Sequence, residues 1–136
     1  MNDIKRIVEL FEQLGFKINW EKSRLPPCQR IEFLGFFLCS EKRILSLDDG
    51  KMKKIKKKLK KLRVLEECSV RRFASEIGKL QHCMKAIRGG RLHTRELIDL
   101  KNKEKREKSW DDKMKISKEA KLDVEWWIKN MNERNG

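Results

Sequence analysis

Apolar side chains recur at Ile4, Ile7, Val8, Phe11 and Leu14, the spacing of one face of a helix, and Gly15 stands where a glycine ends such a helix. Phe16, Ile18 and Trp20 then alternate with Lys17 and Asn19, the period of a half-buried strand. Pro26-Pro27 break the chain. A new strand is expected from Gln29 to Leu38 and a returning one from Arg43 to Leu47, with Cys39-Ser40-Glu41-Lys42 at the turn. A hairpin of this kind does not stand alone in water, so helix packing is expected to cover one of its faces.

From residue 48 the period is helical throughout. Asp48 or Asp49 can cap a helix in which Met52, Ile55, Leu59 and Leu62 form a narrow apolar stripe. Ser69 caps the next, on which Val70, Phe73, Ala74, Ile77, Met84 and Ile87 share a face that Gly89-Gly90 terminate. Gly78 inside it costs about 1 kcal/mol against alanine, and a close helix approach there is the expected compensation. Arg91 to Leu97 begin a further helix that runs into Lys101 to Lys108, a stretch without an apolar residue that is either an exposed helix end or a linker. After Trp110 a last helix starts at Ser117, with Glu119 in its first turn. Ala120, Val124, Trp127, Ile128 and Met131 lie on one face, flanked by Leu122 and Trp126. That spacing makes the tryptophans core or interface anchors rather than a base-stacking platform.

These elements predict an α+β chain, mostly helical. A small N-terminal helix-strand-hairpin unit (1–50) is followed by a helical bundle (51–107) and a C-terminal helical segment (108–136). With 136 residues, 38% hydrophobic and 41% charged, the core is expected to be thin.

Charge narrows the partner. Thirty-five Lys and Arg against 21 Asp and Glu give a formal net charge of +14, a footprint suited to nucleic acid, with an acidic protein or an anionic membrane surface as alternatives. No run of about 18 apolar residues exists and the N-terminus lacks a signal peptide's apolar core, so an intracellular protein of cytoplasm or nucleus, neither secreted nor in the membrane, is expected. Cys28, Cys39, Cys68 and Cys83 have no zinc-site spacing with one another or with His82 and His93. They read as buried or half-buried free thiols, and no metal or cofactor is expected.

The basic residues concentrate. Lys51, Lys53, Lys54, Lys56, Lys57, Lys58, Lys60 and Lys61 surround the first apolar stripe, with no acidic residue between 50 and 65. Like charges at i, i+4 cost about a few tenths of a kcal/mol per pair, a loss that a polyanion would offset. Lys51, Lys54, Lys57, Lys58 and Lys61, with Arg71 and Arg72 of the next helix, are the candidate nucleic-acid contacts. A solvated face, a nuclear-import signal, a calmodulin-type target and a membrane-surface helix fit the same run.

The ordered set Gln13-Leu-Gly-Phe-Lys-Ile-Asn-Trp-Glu-Lys-Ser23, Ile31-Glu-Phe-Leu-Gly-Phe36, Leu45-Ser-Leu47, Ala74-Ser-Glu-Ile-Gly-Lys-Leu80, Arg91-Leu-His-Thr-Arg95 and Asp123-Val-Glu-Trp-Trp127 resembles reverse transcriptases of DIRS-type and related gypsy-like retroelements over nearly the whole chain. The resemblance implies that residues 1–50 are the end of a polymerase palm, 51–107 a thumb, and 108–136 a connection toward an RNase H domain. Lys22 then matches a lysine closing a strand near the incoming nucleotide. Phe33, Leu34, Gly35 and Phe36 match the primer grip, where a glycine lets sugar and phosphate approach the main chain. The alternative for this hairpin is that Phe33, Phe36 and Phe37 are simply core.

Nucleotidyl transfer in that family needs metal ions held by carboxylates, two of them in a Tyr-x-Asp-Asp turn. Here the Asp-Asp pairs are Asp48-Asp49 and Asp111-Asp112, preceded two positions earlier by Ser46 and Ser109. No catalytic residue is therefore assigned. Although the family is RNA-directed DNA polymerase, neither polymerase nor RNase H activity is expected of this chain alone. The expected function is binding of duplex or RNA–DNA hybrid through its backbone without sequence preference, with a separate catalytic chain as a further partner. The competing expectation is a basic protein-interaction or nuclear-targeted module with no nucleic-acid role.

Overall fold

The computed structural model describes residues 2–136. Helix α1 (Asn2–Gln13) closes as the sequence predicts. Gly15 takes a left-handed φ of +84°, its N–H donates to Glu12 O, and the N–H of Phe16 reaches back to Phe11 O at 2.9 Å. The Phe11 and Phe16 rings meet edge-on at 5.8 Å, the apolar contact that accompanies this type of helix end. Here the expected strand fails. Residues 16–20 are irregular and Phe16 and Trp20 are exposed, because no neighbouring strand supplies a ladder and Phe16 is already used to close the helix.

The expected long strand also divides. Strands β1 (Arg30–Phe33), β2 (Phe36–Cys39) and β3 (Ile44–Leu47) form an antiparallel meander, with Phe33 paired to Phe36 and Phe36 to Leu47. Leu34 and Gly35 both have positive φ, +51° and +79°, so the turn is the two-residue kind whose twist suits a hairpin. Helix packing covers only one corner of this sheet. Phe36 and Leu47 are buried, whereas Phe33, Phe37 and Leu38 are exposed.

Helix α2 (Asp49–Val64) begins as predicted, Asp48 accepting from the Lys51 N–H at 3.1 Å, and it buries Met52, Ile55, Leu59 and Leu62. Strand β4 (Glu67–Ser69) leads into α3 (Val70–Cys83), where the Ser69 hydroxyl caps the Arg72 N–H. The helix stops at Cys83, short of the predicted glycine pair. Beyond it Arg88 N–H donates to Arg134 O and Gly136 N–H to Ala86 O, so the chain's last residues draw this segment out of the helix. Gly89 and Gly90 serve packing: a Cβ on Gly90 would lie 2.7 Å from the Trp127 ring. Gly78 meets nothing within 4 Å, so the close approach expected there does not occur.

After a short turn at Leu92–Thr94, α4 (Arg95–Glu107) takes in most of the charged stretch that could have been a linker. Strand β5 (Lys113–Lys115) pairs with β4, and α5 (Lys118–Asn130) starts at its Ser117 cap and packs on α2. Leu59, Phe73, Ile77, Leu80, Leu97, Met114, Val124 and Trp127 meet in one core. Residues 108–136 therefore complete the hydrophobic interior of the helical part rather than lying beside it. At the far end Asn135 accepts from Leu47 N–H at 2.8 Å and donates to Leu47 O at 3.0 Å, tying the C-terminus to the sheet.

Candidate nucleic-acid interface

Because the apolar stripe of α2 faces the core, its lysines divide between two flanks. Lys51, Lys54, Lys58 and Lys61 follow one another at i+3 and i+4 and form a ridge on the α3 side; Lys57 lies directly opposite the apolar stripe, and Lys53, Lys56 and Lys60 lie round the other side. Of the predicted set, Lys57 is the one off the ridge. Lys51, Lys54 and Lys58 line a groove of about 480 Å³, whose opposite wall is Ser75, Gly78, Lys79 and His82 of α3. The exposed Gly78 removes any side chain from that wall, leaving the α3 backbone open to approach.

Two of the groove's residues reach the hairpin. Lys51 Nζ donates to Gly35 O at 3.3 Å, and the Phe36 ring stacks on His82 at 4.4 Å. Phe36 is thus a core residue that anchors the tip. Phe33 is 57% and Leu34 72% exposed, so the tip itself is free to contact a ligand. Lys22 sits on the other side of the hairpin in an open cleft shared with Phe33, Leu34 and Gly35. It follows a turn rather than a strand: its N–H donates to the Asn19 side chain at 3.2 Å. The structure thereby brings Lys22 and the hairpin tip together, though not by the strand that the sequence suggested.

A buried acid controls part of the ridge. Glu76 of α3, only 9% exposed, accepts from Lys79 at 2.9 Å and lies 3.9 Å from Lys58. The two lysines shift in opposite directions. Lys79, against Lys58 and Glu76, holds its proton above the ordinary lysine range, while the neighbouring Lys79 lowers the pKa of Lys58 despite the attraction of Glu76. Sequence reading missed Glu76, Lys79 and His82. Their signal, polar positions around the apolar face of α3, became informative only once α2 was seen to lie alongside.

The two arginines differ. Arg72 is exposed, whereas Arg71 is held by Asp111 at 3.1 Å beside the Trp110 ring. The carboxylate pairs are similarly committed: Asp48 caps α2, Asp49 lies in its first turn, and Asp112 accepts from the Ser109 N–H at 2.8 Å. No group of three or more His, Cys, Asp or Glu with metal-holding geometry occurs among the described residues, and no helix there is long and apolar enough to cross a membrane. Cys68 and Cys83 are buried and Cys39 half-buried, but Cys28 is exposed, a correction to the expectation for all four. Burial pushes the Cys83 thiol up to about 11 and raises that of Cys68.

Comparison with protein-family models, curated proteins and solved structures returns no match.

Proposed function

We propose that this chain is the primer- and duplex-holding part of a reverse transcriptase, binding nucleic-acid duplex or RNA–DNA hybrid through the backbone without sequence preference and without carrying out nucleotidyl transfer itself. One observation carries the reading: Lys51, Lys54 and Lys58 of α2 and Lys79 of α3 line one groove, and Lys51 donates to the Gly35 carbonyl at the hairpin tip. The resemblance gave the hairpin and the basic helix separate roles; their junction lets one strand's phosphates follow the ridge to the tip. Ammonium groups on a ridge meet phosphates without reading bases, which suits a partner of any sequence.

The test is a salt titration. Four phosphate contacts by Lys51, Lys54, Lys58 and Lys61 give a log–log slope of about −3 to −4 for hybrid duplex. Changing those four to Gln should remove most of the slope, leaving only the part due to Lys79, His82 and Arg72. Changing Lys53, Lys56, Lys57 and Lys60 to Gln removes the same charge from outside the ridge and should leave most of the slope intact. Equal losses in the two variants would reduce the groove to a general cation cloud, as a nuclear-targeting or acidic-partner module would have.

A second observation favours a catalytic partner. Helix α1 buries none of its residues; Ile7 and Leu10 are exposed on it, and Leu14 is exposed just past its end. We assign this face to the polypeptide carrying the palm carboxylates. Ile7→Glu with Leu10→Glu should leave hybrid binding unchanged yet abolish stimulation of a catalytic palm supplied in trans; undiminished stimulation would refute the assignment.

A further inference from the structure

His82 differs from the other histidine in its surroundings. His93 is fixed by Asp123 at 3.1 Å and stacks on Trp126; His82 has no carboxylate partner among the described residues. Its ring lies on Phe36 with planes 28° apart, and the residue lines the groove. Nε2 is 3.8 Å from the point where a Gly35 side chain would begin, and Lys51 Nζ crowds that same point. Two side-chain nitrogens thus converge beneath the hairpin tip, beside a groove whose remaining cations are Lys54, Lys58 and Lys79.

We propose that Lys51 and His82 together take one backbone phosphate of the bound strand, His82 in its protonated form, so that duplex binding is coupled to uptake of a proton. This rests on the duplex-binding reading and extends it to a residue outside the lysine run. An ammonium is charged throughout the physiological range, whereas an imidazole acts as a full donor pair only as the cation. A phosphate oxygen at Nε2 favours that cation, and by linkage the complex then tightens as pH falls. The titratable groups that share the groove with His82 are Lys51, Lys54 and Lys58 from α2 and Lys79 and Cys83 from α3, while Glu32 and Asp48 line an adjoining cleft with Gly35, Lys51 and Lys54. Burial keeps the Cys83 thiol protonated between about pH 5.5 and 7.5.

The experiment is fluorescence anisotropy with labelled RNA–DNA hybrid at fixed salt. The wild-type chain should bind about five- to tenfold more tightly at pH 5.5 than at pH 7.5. His82→Gln and His82→Phe, the latter keeping the ring stack on Phe36, should each show less than a twofold change. Wild-type affinity that ignores pH, or a pH response that survives in either folded variant, overturns the proposal. The salt slope read from the same titrations separates the two claims. A normal lysine-dependent slope with a failed pH result removes only the role of His82, whereas a missing slope removes the duplex-binding reading itself.

Discussion

Lys51 Nζ donates to the carbonyl of Gly35, sixteen residues earlier, and fills the space that a side chain at position 35 would need. The hairpin tip and the first turn of α2 are therefore one unit. A left-handed φ of +79° requires glycine at the tip for a second reason.

Gly35→Ala combines both penalties. Unfolding free energy should fall by about 1–2 kcal/mol, and hybrid affinity should fall with it as Lys51 is pushed off the carbonyl. Leu34→Asn acts in the opposite sense. Leucine is strained at φ +51°, and asparagine before glycine suits this turn, so a gain of about 0.5–1 kcal/mol is expected in denaturant unfolding. A destabilised Leu34→Asn chain would mean that the turn is not of this type.

Trp127 is fully buried, and its Nε1 donates to His93 O at 3.1 Å while its ring lies against Gly90. Trp127→Ala should cost about 3–5 kcal/mol. Trp127→Phe keeps most of the contact but loses the hydrogen bond to a half-buried carbonyl, for a smaller loss of about 1–2 kcal/mol. Chemical denaturation of the two variants measures the difference.

The cysteines should separate by reactivity. Cys28 should alkylate readily at pH 8, Cys39 more slowly, and Cys68 and Cys83 only on unfolding. Stability carries the matching pH signature. Cys83 ionises at about 11 in the folded chain and near 8.5 when unfolded, so above the lower value the unfolded state holds fewer protons and stability declines until the folded thiol also ionises. Between about pH 8.5 and 11 wild type should lose on the order of 2 kcal/mol more than Cys83→Ala does. Parallel curves for the two proteins would contradict the buried-thiol assignment.

Arg71 is engaged by Asp111, an exposed pair of the kind that adds under about 1 kcal/mol to stability. Arg71→Gln should therefore weaken hybrid binding less than Lys54→Gln does. Asp111→Asn should strengthen it slightly by releasing the guanidinium. The reverse ranking in matched titrations would place Arg71, rather than the ridge, in the main contact.

Local chemistry carries far along this chain. The three side-chain caps at Asp48, Ser69 and Ser117, the glycine stop at Gly15 and the stripes of α2 and α5 each depend on residues within one or two turns, and all formed where the spacing placed them. Leu122 was marked as flanking the α5 stripe and is exposed. The elements that were misread depend on remote partners. Residues 16–20 alternate like a strand but have no ladder to join. Strands β4 and β5 are three residues long, too short to alternate, and exist because Glu67–Ser69 and Lys113–Lys115 meet across the fold. Helix α3 ends early because the C-terminal residues bind the segment behind it.

The basic composition and its concentration at residues 51–61 were fixed by the sequence alone, since charge needs no fold to be counted. Which of those lysines act together was decided by tertiary structure. Burial of Met52, Ile55, Leu59 and Leu62 against the core sends Lys51, Lys54, Lys58 and Lys61 to one flank, and the packing of α3 beside that flank adds Lys79 and His82. Periodicity gives a residue's angle on its helix; only the neighbouring element determines what that angle faces.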